Sequence, residues 1–476
     1  MLQLFVILFA FFVQFTDKAG SEHIALSQTA LDKRAERGIA IDSLDYAVSP
    51  TYLDSLQALG CHIYHTSRWM NGVTIETDSN TLQRIAEWTF VDTIYLTRRL
   101  GDEAMRREGD EARRRLGEEV KGEGQEGTWL TDPQTEQLNL TALHKAGFHG
   151  QGISMAIVDG GFQHVDTLSA FDAVRDQILG FYDLTDDSDS IFRSESNHGT
   201  KCFGTIAAQT SEYQGVARAA TYYLIRSEEH NTESPKEMDN WVAAIELCDS
   251  LGVDILSSSL GYAMFDDDCF TLTYASMNGQ ITRCSRAAQI ATRKGMLVVV
   301  SAGNEGNKSW HYISAPADAD SILTVGAVDI NDSIAAFSSW GPSSDGRVKP
   351  EVCALGKQTA LIHSEYSSVI YGNGTSFACP LIAGMAACLW SSLPSASNIE
   401  IRERIIQSAD RYTHPHDQYG YGIPNAWQAY AQTTDIETIR ENSATDVQKV
   451  LLNGRLMIIH EGEMYDVMGN RLKVRG

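Results

Sequence analysis

Cysteine is scarce in this chain, with eight residues among 476. So few cysteines cannot cross-link a protein of this size, which excludes a small scaffold held together by disulfides. The apolar fraction of 43% is sufficient for a large core instead. Cys269 and Cys284 flank a loop insert and form the favoured pair for a single disulfide.

Basic residues are also in deficit, with 38 Lys and Arg against 62 Asp and Glu and a formal net charge of −24. A strongly acidic chain is repelled by the phosphates of DNA and RNA, so the net charge argues against sequence-independent nucleic-acid binding. We therefore predict no nucleic-acid partner.

No apolar run in the sequence reaches the length of a membrane span, and the one nearest the N-terminus covers residues 1–15. This run is shorter than the roughly 20 residues that cross a bilayer, so no stable transmembrane span is expected. The small and polar residues from Asp17 to Ser21 follow it, and the pattern predicts a secretory signal peptide over residues 1–20, although no Lys or Arg precedes the run. A membrane-retained N-terminus is the alternative. The expected location is secreted or cell surface.

Ser376 lies between a glycine turn and a segment of small apolar residues that predicts a buried helix. Gly374 allows backbone conformations that a side chain would forbid. At a helix N-terminus the unpaired N–H groups and the helix dipole favour a developing negative charge. The pattern therefore predicts a serine nucleophile, which needs a base.

Two other segments offer the partners of such a serine. Residues 153–158 predict a buried parallel strand that delivers Asp159 at its carboxyl end, and His198 precedes a small-residue run that predicts a helix. The order Asp159, His198, Ser376 is one in which the serine triad recurs on unrelated folds. Each residue taken singly is more often a cap or a loop residue, so the hypothesis depends on their order and context.

An esterase of the α/β-hydrolase type is disfavoured by the residues around the serine. Its nucleophile turn requires Gly-x-Ser-x-Gly, whereas Ala378 stands two residues after Ser376.

These motifs, together with Ser259-Leu260-Gly261 and the segment around Asn304, resemble those of the subtilisin-like serine proteases from about Leu143 to Trp427. The resemblance implies a catalytic triad of Asp159, His198 and Ser376. It also implies that the Asn304 side chain and the Ser376 backbone N–H donate to the oxyanion. It implies finally that a substrate-backbone edge is formed by three residues, Ser259, Leu260 and Gly261.

The reaction implied is hydrolysis of polypeptide substrates through an acyl-enzyme, with His198 as the base and no required cofactor. Activity is then expected to fall below about pH 6.5, where an ordinary imidazole becomes protonated. The alternative function is a catalytically silent member of the same fold that serves as a binding or assembly module. Labelling by a fluorophosphonate that depends on Ser376 would separate the two.

Three features near the triad depart from the common pattern or extend it. Gly160 replaces a serine or threonine whose hydroxyl could support Asp159, and Lys201 replaces a second histidine. Cys202 matches a subgroup with a thiol near the histidine, and a buried structural thiol is the favoured interpretation. Many relatives bind calcium, and acidic clusters occur at residues 186–189 and 266–268. Neither has a recognisable ligand loop, so solvated acid is favoured over calcium.

The region from 131 to 432 predicts an α/β fold, a parallel sheet covered by helices on both faces with its functional residues at the strand ends. A proline-started helix is predicted from Pro235 to Leu251, ending at Gly252. Strands are predicted at residues 153–158, 222–225, 253–256, 296–301 and 322–328.

The flanking regions predict three further parts. Residues 21–100 show a small α+β pattern that resembles the inhibitory propeptides of subtilisin-like zymogens, with an independent adaptor domain as the alternative. Residues 101–130 form a charged linker, which is a natural place for cleavage because the chain there is predicted to be exposed. For Arg113-Arg114-Arg115 near its middle, a solvated run of charge is favoured over a processing site. The chain is thus expected to be a self-processing monomer inhibited by its own propeptide.

The C-terminal residues 433–476 contain short strand patterns separated by glycine turns. They resemble the C-terminal sorting segments of some exported bacterial proteases. A plain β-hairpin accessory is the alternative.

Overall fold

The computed structural model describes residues 8–99, 120–121, 129–185, 190–229, 232–432, 447–452, 455–460, 463–466 and 471–472. The chain divides into two units, Met1–Trp427 and Gln428–Gly476. The larger unit holds an N-terminal domain and a main domain.

The N-terminal domain is an antiparallel sheet of four strands in the order β2-β3-β1-β4, with three helices. Pro50 starts the second helix, and the Asp78 side chain accepts from two backbone N–H groups to start the third. The elements are β1 (Leu8–Phe15), α1 (Gln28–Glu36), a 3-10 helix (Ser43–Asp45), α2 (Pro50–Ala58), β2 (His62–Ser67), β3 (Gly72–Asp78), α3 (Ser79–Ala86) and β4 (Val91–Arg99). The small α+β pattern predicted for residues 21–100 is present.

Strand β1 lies inside this sheet, which differs from the boundary predicted at residue 20. Phe12 of β1 is paired with Thr74 of β3 on one side and with Tyr95 of β4 on the other. Removal of residues 1–20 would leave β3 and β4 without their shared partner. The prediction failed here because a strand with apolar residues on both faces has the composition of a signal-peptide core.

The two faces of β1 serve two different cores, because successive side chains of a strand point to opposite sides. One face packs within the N-terminal domain through Phe11, Val13 and Phe15. On the other face Phe12 joins Trp69 in the hydrophobic core of the main domain. The N-terminal domain and the main domain are therefore packed through one apolar surface.

The main domain is built on seven parallel strands in the order β12-β11-β10-β9-β6-β8-β7, flanked by helices. This confirms the predicted α/β class. The described strands of the main domain, which include three outside this sheet, are β5 (Val120–Lys121), β6 (Ser154–Asp159), β7 (Ile178–Asp183), β8 (Thr221–Arg226), β9 (Ile255–Ser258), β10 (Leu297–Ser301), β11 (Leu323–Val328), β12 (Val352–Leu355), β13 (Lys357–Ile362) and β14 (Val369–Asn373). Strands β13, β14 and β5 form a small separate sheet.

The α-helices of the main domain are α4 (Asp132–Gln137), α5 (Thr141–Lys145), α6 (His198–Ala207), α7 (Pro235–Leu251), α8 (Arg283–Arg293), α9 (Thr375–Ser392) and α10 (Asn398–Gln407). Short 3-10 helices lie at Ser169–Gln177, Asp268–Phe270 and Tyr274–Ser276. Helix α7 has the predicted bounds: the Glu237 carboxylate accepts the Ser234 N–H at 3.0 Å, and Gly252 ends the helix in the left-handed conformation at φ 77°.

Helix α9 passes through the centre of the main domain. Within the described ranges it is the single helix long and apolar enough to cross a membrane, and 89% of that window is buried in the protein. Burial of this extent is typical of a core helix.

The C-terminal unit contains a four-stranded antiparallel sheet in the order β15-β16-β17-β18. Its strands are β15 (Val447–Leu452), β16 (Arg455–His460), β17 (Glu463–Asp466) and β18 (Arg471–Leu472). The β pattern of the tail is thus present, and its role as a sorting segment stays a prediction.

The predicted disulfide between Cys269 and Cys284 is wrong, since both are free thiols. Cys284 is buried in the first turn of α8, where its thiol donates to Thr282 Oγ1 at 3.4 Å. Cys269 is exposed. A cysteine on a helix face that points into the core cannot form a disulfide with an exposed cysteine of a surface loop.

We predict that Val13→Asp destabilises the protein strongly. Val13 has no exposed surface, so the substitution buries a carboxylate in an apolar core, at a cost of about 3 kcal/mol or more. Thermal unfolding of the full chain checks this, with Leu8→Asp as the control at a position of β1 that is 37% exposed. Equal melting temperatures for the two variants would contradict the placement of β1 in the sheet.

Candidate active site

One cleft gathers the residues that follow the carboxyl ends of parallel strands. Asp159 ends β6, Ser259 follows β9, and Asn304 lies three residues after β10. Such ends meet at the same edge of a sheet. Two helix N-termini close the cleft, since α6 begins at His198 and Ser376 is the second residue of α9. The cavity has a volume of about 380 Å³ and its lining includes Asp159, His198, Ser259, Leu260, Gly261, Asn304 and Ser376.

Asp159 and His198 form a direct pair. The His198 Nδ1 atom lies 2.7 Å from Asp159 Oδ1, which also accepts the Gly160 N–H at 2.8 Å. The carboxylate is fully buried and the imidazole is 24% exposed. Because a carboxylate only accepts, Nδ1 carries the proton and Nε2 keeps its lone pair, which is the tautomer of a base.

Gly199 makes this approach sterically allowed. A Cβ atom at position 199 would lie 2.5 Å from the carbonyl oxygen of Gly161 and 2.9 Å from Asp159 Cβ. Both distances are shorter than atoms tolerate. The N-terminus of α6 can therefore meet the end of β6 only with glycine after the histidine.

We predict that Gly199→Ala lowers kcat/KM for peptide hydrolysis by at least tenfold, because α6 must shift away from Asp159. The matched control is Gly204→Ala in the same helix, where the nearest atom to the new Cβ would be 3.4 Å away. Activity assays with circular dichroism separate misalignment from unfolding. Equal losses in the two variants would contradict this steric account.

Among the described residues, the second oxygen of Asp159 has no hydrogen-bond partner. Asp159 Oδ2 is buried, and no hydrogen bond reaches it from the residues described. This agrees with the observation that Gly160 replaces a residue with a hydroxyl. A Cβ at position 160 would lie 3.2 Å from Ser196 Oγ, so a serine could be accommodated with a small shift. The negative charge of Asp159 is thus shared with few donors besides His198.

Burial lowers the pKa of His198, but the charge and hydrogen bond of Asp159 together with the interactions of Cys202 outweigh burial and raise this pKa well above its usual value. The imidazole must be neutral to act as a base. We therefore predict that the acid limb of kcat/KM lies above pH 6.5, higher than an ordinary histidine would give.

A pH series of kcat/KM on the processed enzyme checks this expectation. Gly160→Ser would give Asp159 Oδ2 a donor and should move the limb to lower pH, because a stabilised carboxylate attracts the proton of His198 less. An upward shift in this variant would contradict the assignment of the limb to the pair.

Ser376 owes its position to a proline four residues further on. Pro380 lies inside α9 and has no N–H, so the helix cannot bond the Ser376 carbonyl. That carbonyl instead accepts from Ser259 Oγ at 2.9 Å and from Cys202 Sγ at 3.4 Å. The Ser376 hydroxyl donates to the Ser259 carbonyl at 3.4 Å and makes no hydrogen bond with His198 in the described part of the chain.

Cys202 lies under the imidazole, with Sγ 3.8 Å from His198 Nδ1. It is 1% exposed and packs against Leu361, Ile370 and Phe377. Burial raises the pKa of this thiol, which therefore stays protonated and able to donate to the Ser376 carbonyl. These contacts support the interpretation as a structural thiol. They also explain why ligand atoms of Asp159, His198 and Cys202 lie within 4.8 Å of one another without any need for a metal.

Asn304 is oriented by Thr375. Its Oδ1 accepts the Thr375 N–H at 2.9 Å and the Thr375 hydroxyl at 3.0 Å. Since the oxygen is occupied in this way, the Nδ2 donor is the end of the amide left for the cleft. The Ser376 N–H lies in the first turn of α9, where helical partners are missing.

Two glutamates that no sequence motif indicated, Glu228 and Glu233, line the same cleft. The Glu228 carboxyl accepts the Tyr262 hydroxyl at 2.5 Å, and burial, reinforced by the charge of Glu233, raises the pKa of Glu228 to about 8. The signal that could have found Glu228 is its place two residues after β8, at the same edge of the sheet.

The acidic cluster at 266–268 does not resemble a calcium shell. Asp266 accepts the Glu233 N–H, and Asp267 accepts the Cys269 N–H. Within the described residues these carboxylates do not converge on a group of metal ligands. The cluster at 186–189 lies outside the described residues.

A cleft of Asp, His and Ser side chains at the carboxyl edge of a parallel sheet is typical of serine hydrolases. A family model described as the subtilase family matches residues 150–422. The chain therefore belongs to the subtilase family and is a serine-type endopeptidase.

Curated relatives agree with this assignment. Serine protease AprX of Bacillus subtilis is 27% identical over 335 residues, which cover 62% of this chain and 71% of the relative. Subtilisin DY of Bacillus licheniformis is 31% identical over 284 residues, 58% of this chain and 89% of the relative. Subtilisin E of Bacillus subtilis is 30% identical over 304 residues, 62% of this chain and 70% of the relative.

The N-terminal domain matches a second model, the peptidase S8 propeptide domain of Bacteroidota, at residues 10–112. The match begins within β1, in agreement with the place of that strand in the sheet. The N-terminal domain is therefore a propeptide domain, and the adaptor alternative is not favoured.

Proposed function

We propose that Asp159, His198 and Ser376 form the catalytic triad of this endopeptidase. The observation that carries the proposal is the 2.7 Å pair of Asp159 and His198, in the same cleft as a serine at a helix N-terminus. A silent binding module has no use for such a pair, so the silent alternative is not favoured.

The reaction begins when the Ser376 side chain turns from the Ser259 carbonyl toward His198. The Nε2 atom takes the hydroxyl proton while Oγ attacks the peptide carbonyl. The tetrahedral oxyanion is stabilised by Asn304 Nδ2 and the Ser376 N–H. The protonated His198 then gives its proton to the leaving amine, and water hydrolyses the acyl-enzyme with His198 again as the base.

The substrate lies along Ser259-Leu260-Gly261, which lines the cleft after β9. An extended peptide can add to such an edge through main-chain hydrogen bonds. Every step uses side chains and backbone of this chain, so the proposed mechanism requires no cofactor. If calcium binds, we propose that its effect is on stability.

We propose further that the enzyme is made as a zymogen that cuts its own linker. Near the end of β4, the last strand of the propeptide, Arg98 is paired with Glu229 of the catalytic domain at 2.6 Å, and Glu229 follows the cleft residue Glu228. The end of β4 thus lies beside the cleft.

Export of the zymogen is also a proposal, and a monomeric state stays a prediction. An inhibited precursor protects the cell that makes a protease until the enzyme has left. Residues 8–15 form strand β1 of the propeptide domain, and the presence of this domain supports the proposal of export.

We predict that the unaltered chain loses its propeptide and that Ser376→Ala keeps it, because cleavage requires the Ser376 hydroxyl. Mass spectrometry of both purified chains measures this, and fluorophosphonate labelling reports the nucleophile directly. Ser391→Ala, in the same helix but remote from the cleft, is the control and should process normally. Identical trimming of all three chains would assign the cut to another enzyme, and labelling of Ser376→Ala would contradict the triad.

A further inference from the structure

The strand order of the sheet places two different walls beside the proposed substrate edge. The edge Ser259-Leu260-Gly261 follows β9, whose neighbours are β10 on one side and β6 on the other. Cleft residues that follow β10 form one wall, and those that follow β6 and β8 form the other together with the start of α6. A peptide along the edge therefore meets different side chains on its two sides.

The two walls differ in charge. After β10, the carboxylate of Glu305 is paired with Lys308 at 3.0 Å. On the other side, the described lining contains no lysine or arginine. We call this side the acidic wall, and its members are Asp159, Gly160, Ser196, His198, Glu228 and Glu233.

Glu228 is fixed in the acidic wall by contacts on two sides. Its Oε1 atom accepts the hydroxyl of Tyr262 at 2.5 Å, and Tyr262 is fully buried one residue after the substrate edge. A Cβ atom at Gly160 would lie 3.6 Å from the Cβ of Glu228, so Glu228 lies beside the residue that follows Asp159. The Glu228 carboxyl is therefore held between the substrate edge and the pair of Asp159 and His198.

Glu233 reaches the same wall from the loop before α7. Its N–H donates to the Asp266 carboxylate at 2.9 Å, and its carbonyl accepts the Asp266 N–H at 2.9 Å. These two contacts fix the backbone of Glu233, and the charge of Glu233 acts on Glu228. The two carboxyl groups thus lie near each other on one wall.

The acids around Glu228 lack a matching positive charge. Glu229 is paired with Lys236, whereas Glu228 forms no ion pair within the part of the chain that the structure describes. Among the described residues, the carboxyl groups that interact electrostatically with Glu228 are those of Asp159, Glu229, Glu233 and Glu237. A positive group is therefore favoured next to Glu228.

Asp159 adds a further acceptor to the acidic wall. Its side chain is fully buried, and its Oδ2 atom accepts no hydrogen bond from the described residues. A guanidinium group suits such a wall, because its planar set of five donors can bond more than one carboxyl oxygen. The chemistry of the wall thus matches the side chain of arginine, and to a lesser degree that of lysine.

We propose that Glu228, together with Glu233, makes the acidic wall a subsite for basic side chains, so that this endopeptidase selects polypeptides rich in arginine or lysine around the cleaved bond. Successive side chains of an extended peptide point to opposite sides, so the selected residues are two positions apart. The proposal rests on the proposed function, because the edge orients the peptide beside Ser376.

The subsite is expected to bind more strongly as the pH rises. Burial, reinforced by the charge of Glu233, raises the pKa of Glu228 to about 8, so this carboxyl is mostly protonated near neutral pH. A guanidinium beside Glu228 favours the charged form, so binding of arginine releases the proton. Arginine itself keeps its charge throughout this range.

The test compares arginine with citrulline, which has nearly the same shape and no charge. The processed enzyme is given a peptide that it cleaves at one bond, and each position from four before to three after that bond carries either residue in turn. The ratio of kcat/KM for the arginine peptide to that for the citrulline peptide should reach about tenfold or more at two positions that are two apart.

Glu228→Gln keeps the shape and the acceptor for Tyr262 and should lower this ratio to about twofold or less, with Glu233→Gln intermediate. The matched control is Glu136→Gln, an exposed glutamate of α4 outside the cleft lining, which should keep the ratio of the parent. Since the ratio is taken within one enzyme preparation, a partly unfolded variant does not change it. Between about pH 7 and pH 9 the ratio should rise in the parent and stay constant in Glu228→Gln.

Two results would overturn the proposal and leave the triad standing: equal cleavage of the arginine and citrulline peptides by the parent, or equal ratios for Glu228→Gln and Glu136→Gln. Full cleavage by Ser376→Ala would contradict the triad instead. The ratios of the glutamate variants would still decide whether the acidic wall selects a positive charge.

Discussion

The contact between Asp159 and His198 is the constraint on which the active site depends. A carboxylate with no exposed surface at the end of β6 must meet an imidazole at the start of α6, and only glycine at position 199 leaves room for it. Because no hydrogen bond from the described residues reaches Asp159 Oδ2, much of the carboxylate charge acts on His198. In the proposed mechanism the pair therefore sets both the orientation of the base and the pH at which it works.

The parallel sheet gives the catalytic domain two edges with different roles. Strand carboxyl ends hold the cleft, and strand amino ends contact helix α1 of the propeptide domain through Asp254 and its neighbours. The apolar face of the propeptide sheet supplies contact area, and the buried charges around α1 supply specificity.

Sequence patterns predicted well the elements whose signals are local. Helix α7 has both predicted ends, because Ser234 and Pro235 start the helix and Gly252 ends it through contacts with residues only a few positions away. The patterns failed for β1 and α1. An apolar strand buried on both faces looked like a signal peptide, and α1 is a polar helix held by ion pairs to residues more than 200 positions away. The cysteine pairing failed for the same reason, since the burial of Cys284 depends on how α8 packs.

The sequence by itself determined which side chains could perform the chemistry, their order along the chain, and the strands and helix starts that carry them. Tertiary structure alone decided the rest. Ser259 and Cys202 donate hydrogen bonds to the Ser376 carbonyl, which Pro380 leaves without a helical partner. Thr375 orients Asn304, and the polar helix α1 packs at the amino ends of the parallel strands. The physical reason is the separation along the chain over which each kind of interaction acts. Turns, caps and strand patterns act between neighbours, whereas burial and pairing of charges are fixed only when distant segments meet.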